Sequence, residues 1–147
     1  MSGSPDPAIP EVSVNEVWAA IDRDRSAQLI DVRTRAEWNY VGAPDLSALG
    51  CKVLLSEWQT YPTNQVDPGF VDRMKQMVTE AGGGPETELF FLCRSGARSL
   101  AAAKAMAAAG FKRCRNTKDG FEGQLDADRR RGRLSGWKAA GLPWVQS

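Results

Sequence analysis

The sequence predicts an α/β domain built on a mainly parallel sheet. Short apolar runs, read as buried strands, alternate with segments whose apolar residues recur at helical spacing. The clearest of the runs, Leu89-Phe90-Phe91-Leu92, has no polar alternation, which is the pattern of a strand covered on both faces. Helices above and below such a sheet are the connections that parallel strands require.

The elements follow in order. Residues 1–10 hold three prolines, two serines and a glycine, which reads as a flexible arm, so the domain is placed at 11–147. Ser13 and Glu16 form a capping-box pattern ahead of Val14, Val17, Trp18 and Ile21, predicting a helix of roughly ten residues. Leu29-Ile30-Asp31-Val32 reads as a buried strand with Asp31 near its C-terminal end, and Cys51 to Leu55 as a second strand. The stretch with Trp58, Tyr61, Pro62 and Pro68 reads as an irregular excursion. Phe70, Met74, Met77 and Val78 mark an amphipathic helix, closed by Gly82-Gly83-Gly84-Pro85. After the Leu89–Leu92 strand, Ser99 to Ala109 is an alanine-rich helix stopped by Gly110, and Arg113 to Asn116 forms one more strand. In such sheets ligands bind beyond the carboxyl ends of the strands, where Asp31 and Cys93 are both expected.

Composition narrows the chemistry. A chain of 147 residues, 42% hydrophobic, suits one domain with one sizeable core. A formal net charge of +1 gives no argument for a nucleic-acid or membrane partner. No apolar run is long enough for a transmembrane helix, and the N-terminus has neither the basic start nor the apolar stretch of a secretion signal, so a cytoplasmic location is expected. The three cysteines, Cys51, Cys93 and Cys114, contain no Cys-x-x-Cys pair and are expected as reduced thiols. The chain has no histidine, which removes Cys-His and Ser-His catalytic pairs and imidazole metal ligands.

Cys93 stands out against that background. It lies between a buried strand and the first turn of a helix, where unsatisfied backbone N–H groups favour an anion. The helix dipole adds about 0.3–1 kcal/mol in the same direction. Arg94 and Arg98 supply fixed positive charge, and Gly96 supplies the permissive backbone a curled loop needs. All of these favour the anionic sulfur, the reactive form of cysteine. A lone cysteine after a strand is commonly an inert core residue, but charged and polar neighbours are poor packing partners for one.

The loop Cys93-Arg94-Ser95-Gly96-Ala97-Arg98-Ser99 resembles the active-site loop of rhodaneses. Leu29-Ile30-Asp31-Val32-Arg33, with Glu37-Trp38 and Gly42, resembles that family's upstream signature, and Gly120-Phe121-Glu122-Gly123 and Gly136 to Trp144 resemble its closing segments. The resemblance covers all but the first ten or so residues. It implies a three-layer fold with a five-stranded, mainly parallel sheet flanked by helices, and a ping-pong sulfur transfer with no metal or organic cofactor. Cys93 would take a sulfane sulfur from a small-molecule donor, become a persulfide, and pass the sulfur to a thiol, to cyanide or to a protein acceptor. Arg98 would close the loop, while the segment of Arg94, Ser95, Gly96, Ala97 and Ser99 would hold the outer sulfur. Asp31 and Arg33 are expected to support the loop, Asp31 by pairing with an arginine.

Two departures stand out. The family's Gly-His-Ile-Pro-Gly-Ala stretch is here Tyr40-Val41-Gly42-Ala43-Pro44, without the histidine. The resemblance implies a thiosulfate-sulfurtransferase-like enzyme whose donor is thiosulfate or a persulfide, and Arg94 suits the thiosulfate dianion; the family's two-domain thiosulfate enzymes carry a further arginine near the position of Glu37, and an acid there weakens the thiosulfate reading.

Other readings compete. Cysteine-dependent phosphatases and arsenate reductases also cradle an anion in such a loop, but resemble Cys-x5-Arg; here the arginine comes one position early, at Arg98, and Ser99 takes the sixth place. A shorter loop fits one sulfur better than a tetrahedral phosphate. A non-catalytic rhodanese-like binding module is the other alternative, although the complete loop is retained. The basic run Arg129-Arg130-Arg131-Gly132-Arg133 reads as a solvated loop rather than a nucleic-acid site, since Asp126 and Asp128 precede it and no aromatic platform accompanies it. Trp58 and Tyr61 either line the mouth of the site or plug the core edge, Phe121 and Glu122 are candidates to gate the mouth, and Cys51 and Cys114 are read as inert.

Overall fold

The computed structural model describes residues 8–60 and 63–146. Its centre is a five-stranded, all-parallel sheet. The strands are β1 (Glu11–Val12), β2 (Gln28–Asp31), β4 (Leu54–Leu55), β7 (Glu88–Leu92) and β8 (Arg113–Thr117), in the spatial order β1-β8-β7-β2-β4. Two small antiparallel pairs complete the strands: β3 (Ala43–Pro44) with β9 (Trp144–Val145), and β5 (Gln59–Thr60) with β6 (Gln65–Val66).

Alternation along the central strands sorts the core into two layers. Ile30, Leu89 and Phe91 face α3 (Phe70–Glu80) and α4 (Ala97–Ala108), packing with Phe70, Met74, Val78, Ala102, Ala103 and Met106. Leu29, Phe90 and Leu92 face the other way, onto Val17 and Ile21 of α1 (Val14–Arg23) and Trp137 of α5 (Gly136–Ala139). Helices on both faces make three layers, as the apolar runs require. Burying each of these large side chains contributes about 1.5–3 kcal/mol.

The capping box at the start of α1 is complete: the Ser13 hydroxyl accepts from the Glu16 N–H at 3.1 Å, and the Glu16 carboxylate accepts from the Ser13 N–H at 3.2 Å. A second box, Thr34 with Glu37, starts the short α2 (Arg35–Tyr40), an element the apolar periodicity does not announce. Half-buried at most, α2 carries no core stripe to read.

Several boundaries differ from expectation. The Cys51–Leu55 strand contracts to Leu54–Leu55 because it is an edge strand, paired only with β2, and Cys51 turns its N–H back to the Leu46 carbonyl. The excursion after Trp58 contains the β5–β6 hairpin; Tyr61 lies outside the described residues. Helix α4 starts at Ala97, two residues earlier than the alanine pattern marks, because Gly96 at φ +120° turns the chain directly into it. Of the N-terminal arm, residues 1–7 lie outside the described residues; Ile9 packs on the core and the Pro10 carbonyl accepts from the Asn116 N–H at 2.9 Å. Among the described residues no helix is long and apolar enough to cross a membrane.

Candidate active site

The register of the sheet brings two segments to one end. Asp31, the last residue of β2, sits opposite Leu92, the last residue of β7, so Cys93 leaves the sheet beside Val32. Cys93 is 1% exposed, and its thiol is enclosed by its own loop. The Gly96 N–H donates to Cys93 Sγ at 3.1 Å, and the Ser99 hydroxyl lies 3.2 Å from the same sulfur. These donors come from the turn into α4 and from its first turn, where the helix dipole also favours negative charge.

The entry to the loop is stapled from behind. The Cys93 carbonyl accepts from the Phe121 N–H at 2.8 Å, and the Arg94 carbonyl from the N–H groups of Glu122 and Gly123 at 3.0 and 3.1 Å. Gly120 permits this approach: at φ +62°, a Cβ there would come within 2.7 Å of the Arg94 carbonyl group. Phe121 is fully buried and is therefore a brace rather than a gate. Glu122 lines an open cleft of about 580 Å³ with Arg94, Arg98, Glu37, Thr34 and Gln59.

Arg98 turns to Glu37, not inward. Its guanidinium donates to both carboxylate oxygens, at 2.7 and 2.9 Å. Burial pushes the Glu37 carboxyl up, but the hydrogen bond and charge of Arg98 outweigh it and hold the group below its ordinary value. The same hydrogen bond raises Arg98 against its own burial. Each group thus keeps the other ionised.

Asp31 does pair with an arginine, but the partner is Arg33 and not an arginine of the Cys93 loop. Both side chains are fully buried, with Arg33 Nη2 2.7 Å from Asp31 Oδ2 and a further bond from Nη2 to the Gly42 carbonyl at 2.7 Å. The Arg33 guanidinium lies 4.2 Å from the centroid of the Phe121 ring. The pair reaches the loop at second hand, through Phe121 and its N–H on the Cys93 carbonyl.

Asn116 was not singled out in the sequence. Fully buried on β8, it accepts from the Ser99 hydroxyl at 2.6 Å and donates to the Gly96 carbonyl at 3.1 Å and to the Glu11 carboxylate at 3.2 Å. The mostly polar run Arg113–Thr117 offers no signal that singles Asn116 out; its burial comes from the place of β8 between β1 and β7.

The remaining residues take quieter places. Trp58 stacks edge-on against Phe70 with centroids 5.0 Å apart and packs on the core. The basic run forms an external turn around Asp126, whose carboxylate accepts from the N–H groups of Asp128 and Arg130. Cys114 is buried, which pushes its thiol up to about 11 against the weaker opposing pull of Arg115. Cys51 is half-buried, its thiol directed at the carbonyls of Arg25 and Leu49. Among the described residues, no group of three or more Cys, Asp or Glu gathers as a metal would require.

Residues 10–147 match the STR4 middle domain family. The chain belongs to that family. The crystal structure of Rv0390 from M. tuberculosis is 38% identical and superposes with a TM-score of 0.85, covering 96% of this chain and all of that one. A rhodanese-like domain-containing protein 4, chloroplastic, of Arabidopsis thaliana is 29% identical over 135 residues, 91% of this chain and 25% of that protein. The polysulfide-sulfur transferase homodimer of Wolinella succinogenes, 21% identical with a TM-score of 0.59 over 95% of this chain and 80% of that one, shares the fold. This STR4-type domain therefore has the rhodanese-like three-layer architecture.

Proposed function

We propose that this domain is a sulfurtransferase working through a persulfide on Cys93. The observation that carries the reading is the sulfur's own setting: Cys93 Sγ sits at the centre of a tight loop, beside the Gly96 N–H and the Ser99 hydroxyl, at the mouth of α4. A fixed backbone donor such as the Gly96 N–H stabilises charge on the sulfur without reorganising. In the first half-reaction the Cys93 thiolate attacks the transferable sulfur of a donor; the bond from that sulfur to the rest of the donor breaks, S–S in thiosulfate or a persulfide and C–S in mercaptopyruvate, and its electron pair leaves with sulfite, the donor thiolate or the pyruvate enolate. In the second, an acceptor thiol or cyanide attacks the outer sulfur, and the electron pair returns to Cys93 Sγ. The two halves balance with no external oxidant or reductant.

The cleft bears on the donor. Arg98 is neutralised by Glu37, and Glu122 faces the same space as Arg94, so the lining is close to charge balance. That favours a persulfide donor over the thiosulfate dianion. The commitment of Arg98 to Glu37 also weighs against a phosphatase, whose loop arginine must face the bound phosphate.

The test is a donor panel of thiosulfate, mercaptopyruvate and glutathione persulfide, followed by intact-protein mass spectrometry of wild type and Cys93→Ser. The expected result is gain of one sulfur atom on the wild type alone, discharged by cyanide or a thiol. If no donor loads sulfur, the domain is a binding module; turnover of an aryl phosphate that disappears in Cys93→Ser would make it a phosphatase.

A further inference from the structure

The Ser99 hydroxyl has one proton and three acceptors around it. It lies 2.6 Å from Asn116 Oδ1, 3.2 Å from the Gly96 carbonyl and 3.2 Å from Cys93 Sγ. The shortest of these belongs to Asn116, a side chain fully buried and fixed from its other end by the Gly96 carbonyl and the Glu11 carboxylate. An amide pinned in this way cannot follow the hydroxyl, nor reverse without pointing its oxygen at two other acceptors.

We propose that Ser99 is a two-position donor, parked on Asn116 Oδ1 while Cys93 is a thiol and turned onto Cys93 Sγ when charge collects there, with Asn116 as the positioning residue that sets the balance. While the cysteine is protonated, its S–H is free to donate to Ser99 Oγ, and the Ser99 proton satisfies Asn116. When the sulfur becomes anionic, the same hydroxyl needs only to rotate about its C–O bond to face it, since Oγ is already at 3.2 Å. No proton changes owner in this step. The hydrogen bond is gained at the two moments of the proposed cycle when Sγ carries charge: before attack on the donor, and again when Cys93 is expelled as the leaving group in sulfur transfer. Asn116 opposes this by competing for the proton, which keeps the resting thiol less reactive than the loop alone would make it.

The inference deepens the sulfurtransferase reading and rests on it for its biological meaning, but its test needs no sulfur donor. Cys93 is alkylated by iodoacetamide at fixed neutral pH, and the rate at that residue is followed by peptide mass spectrometry. Ser99→Ala is expected to slow Cys93 alkylation several-fold, and Ser99→Thr, which keeps the hydroxyl, to restore it. Asn116→Ala, by removing the competing acceptor, is expected to accelerate it. Opposite signs are the signature, because a residue that merely props the loop would move both variants the same way. Should Asn116→Ala not melt cooperatively, Asn116→Ser withdraws the competing oxygen with less loss of polar pairing. Slowing in both the Ser99→Ala and Asn116 variants, or no change in Ser99→Ala, overturns the proposal. Failure to load sulfur while the alkylation signs hold would instead sink the sulfurtransferase reading and leave the donor switch standing.

Discussion

Glu37 and Arg98 meet through two parallel hydrogen bonds, Nη1 to Oε1 at 2.7 Å and Nη2 to Oε2 at 2.9 Å, which tie the first turn of α2 to the first turn of α4. Glu37 also closes the Thr34 capping box from three residues beyond the cap, so one carboxylate closes a helix end and neutralises the loop arginine together. Glu37→Gln should therefore destabilise the domain by about 1–2 kcal/mol, between the values for an exposed ion pair and a buried charge-assisted bond. It should also raise kcat/KM for thiosulfate relative to glutathione persulfide several-fold, by leaving Arg98 uncompensated. An unchanged donor ratio would show that the pair is structural only.

The same pair gives the stability a pH signature. Burial opposes ionisation of Glu37 but Arg98 prevails, so the folded carboxyl titrates below its ordinary value of 4.5. The unfolded chain then takes up the proton at higher pH than the folded one. The contribution is complete above about pH 4.5 and is lost as the pH falls through the lower, folded value. Urea midpoints of wild type and Glu37→Gln should differ at neutral pH and converge as acidification carries the folded carboxyl through its lowered titration.

Asp31→Ala strands a fully buried guanidinium whose Nη1 already lacks a hydrogen-bond partner among the described residues. Removing one member of a buried pair costs about 3–5 kcal/mol. Denaturant unfolding should register that loss, and Cys93 reactivity should change with it, because Arg33 holds the Phe121 face that braces the loop. Unaltered loop order and activity in Asp31→Ala would dispose of the supporting role.

Gly120→Ala places a methyl group against the backbone of Cys93 and Arg94, where nothing flexible can yield. The expected outcome is a fold weakened by at least about 1 kcal/mol, at a site needing positive φ. Sulfur loading of Cys93 should fall more than stability alone explains. Comparison with Gly50→Ala, also at positive φ but with open space around it, separates the steric effect from the conformational one.

The three thiols should also label in a definite order. With its thiol pushed up to about 11 by burial, Cys114 is expected to be the slowest to react with iodoacetamide at about pH 8 in the folded protein. Peptide mapping after brief labelling tests this directly.

Much of the architecture is legible in the sequence because apolar runs and helical spacing report burial, and the central strands and α1, α3 and α4 are buried on at least one face. The elements that escape, α2, α5, β1, the β5–β6 hairpin and the paired β3 and β9, are short and held by hydrogen bonds or by partners distant in the chain, neither of which leaves a periodic trace. The same divide runs through the site. Cys93, Gly96 and Ser99 lie within one seven-residue stretch and can be read as a motif. Asn116 is invisible beforehand, as its importance comes from parallel pairing that sets β8 beside β7. Asp31 was legible as a pairing carboxylate but not its choice of Arg33, which depends on how the chain turns after β2.

The β3–β9 pair joins Ala43–Pro44 to Trp144–Val145, with Trp144 edge-on to Phe121 at 6.3 Å and Lys138 4.0 Å above the Trp144 ring. Of these residues, Phe121, Lys138, Trp144 and Val145 all follow Cys93 in the chain. The backing of the Cys93 loop is therefore supplied by chain that follows it: the Phe121 N–H holds the Cys93 carbonyl, and Lys138 and Trp144 lie against the Phe121 ring in turn.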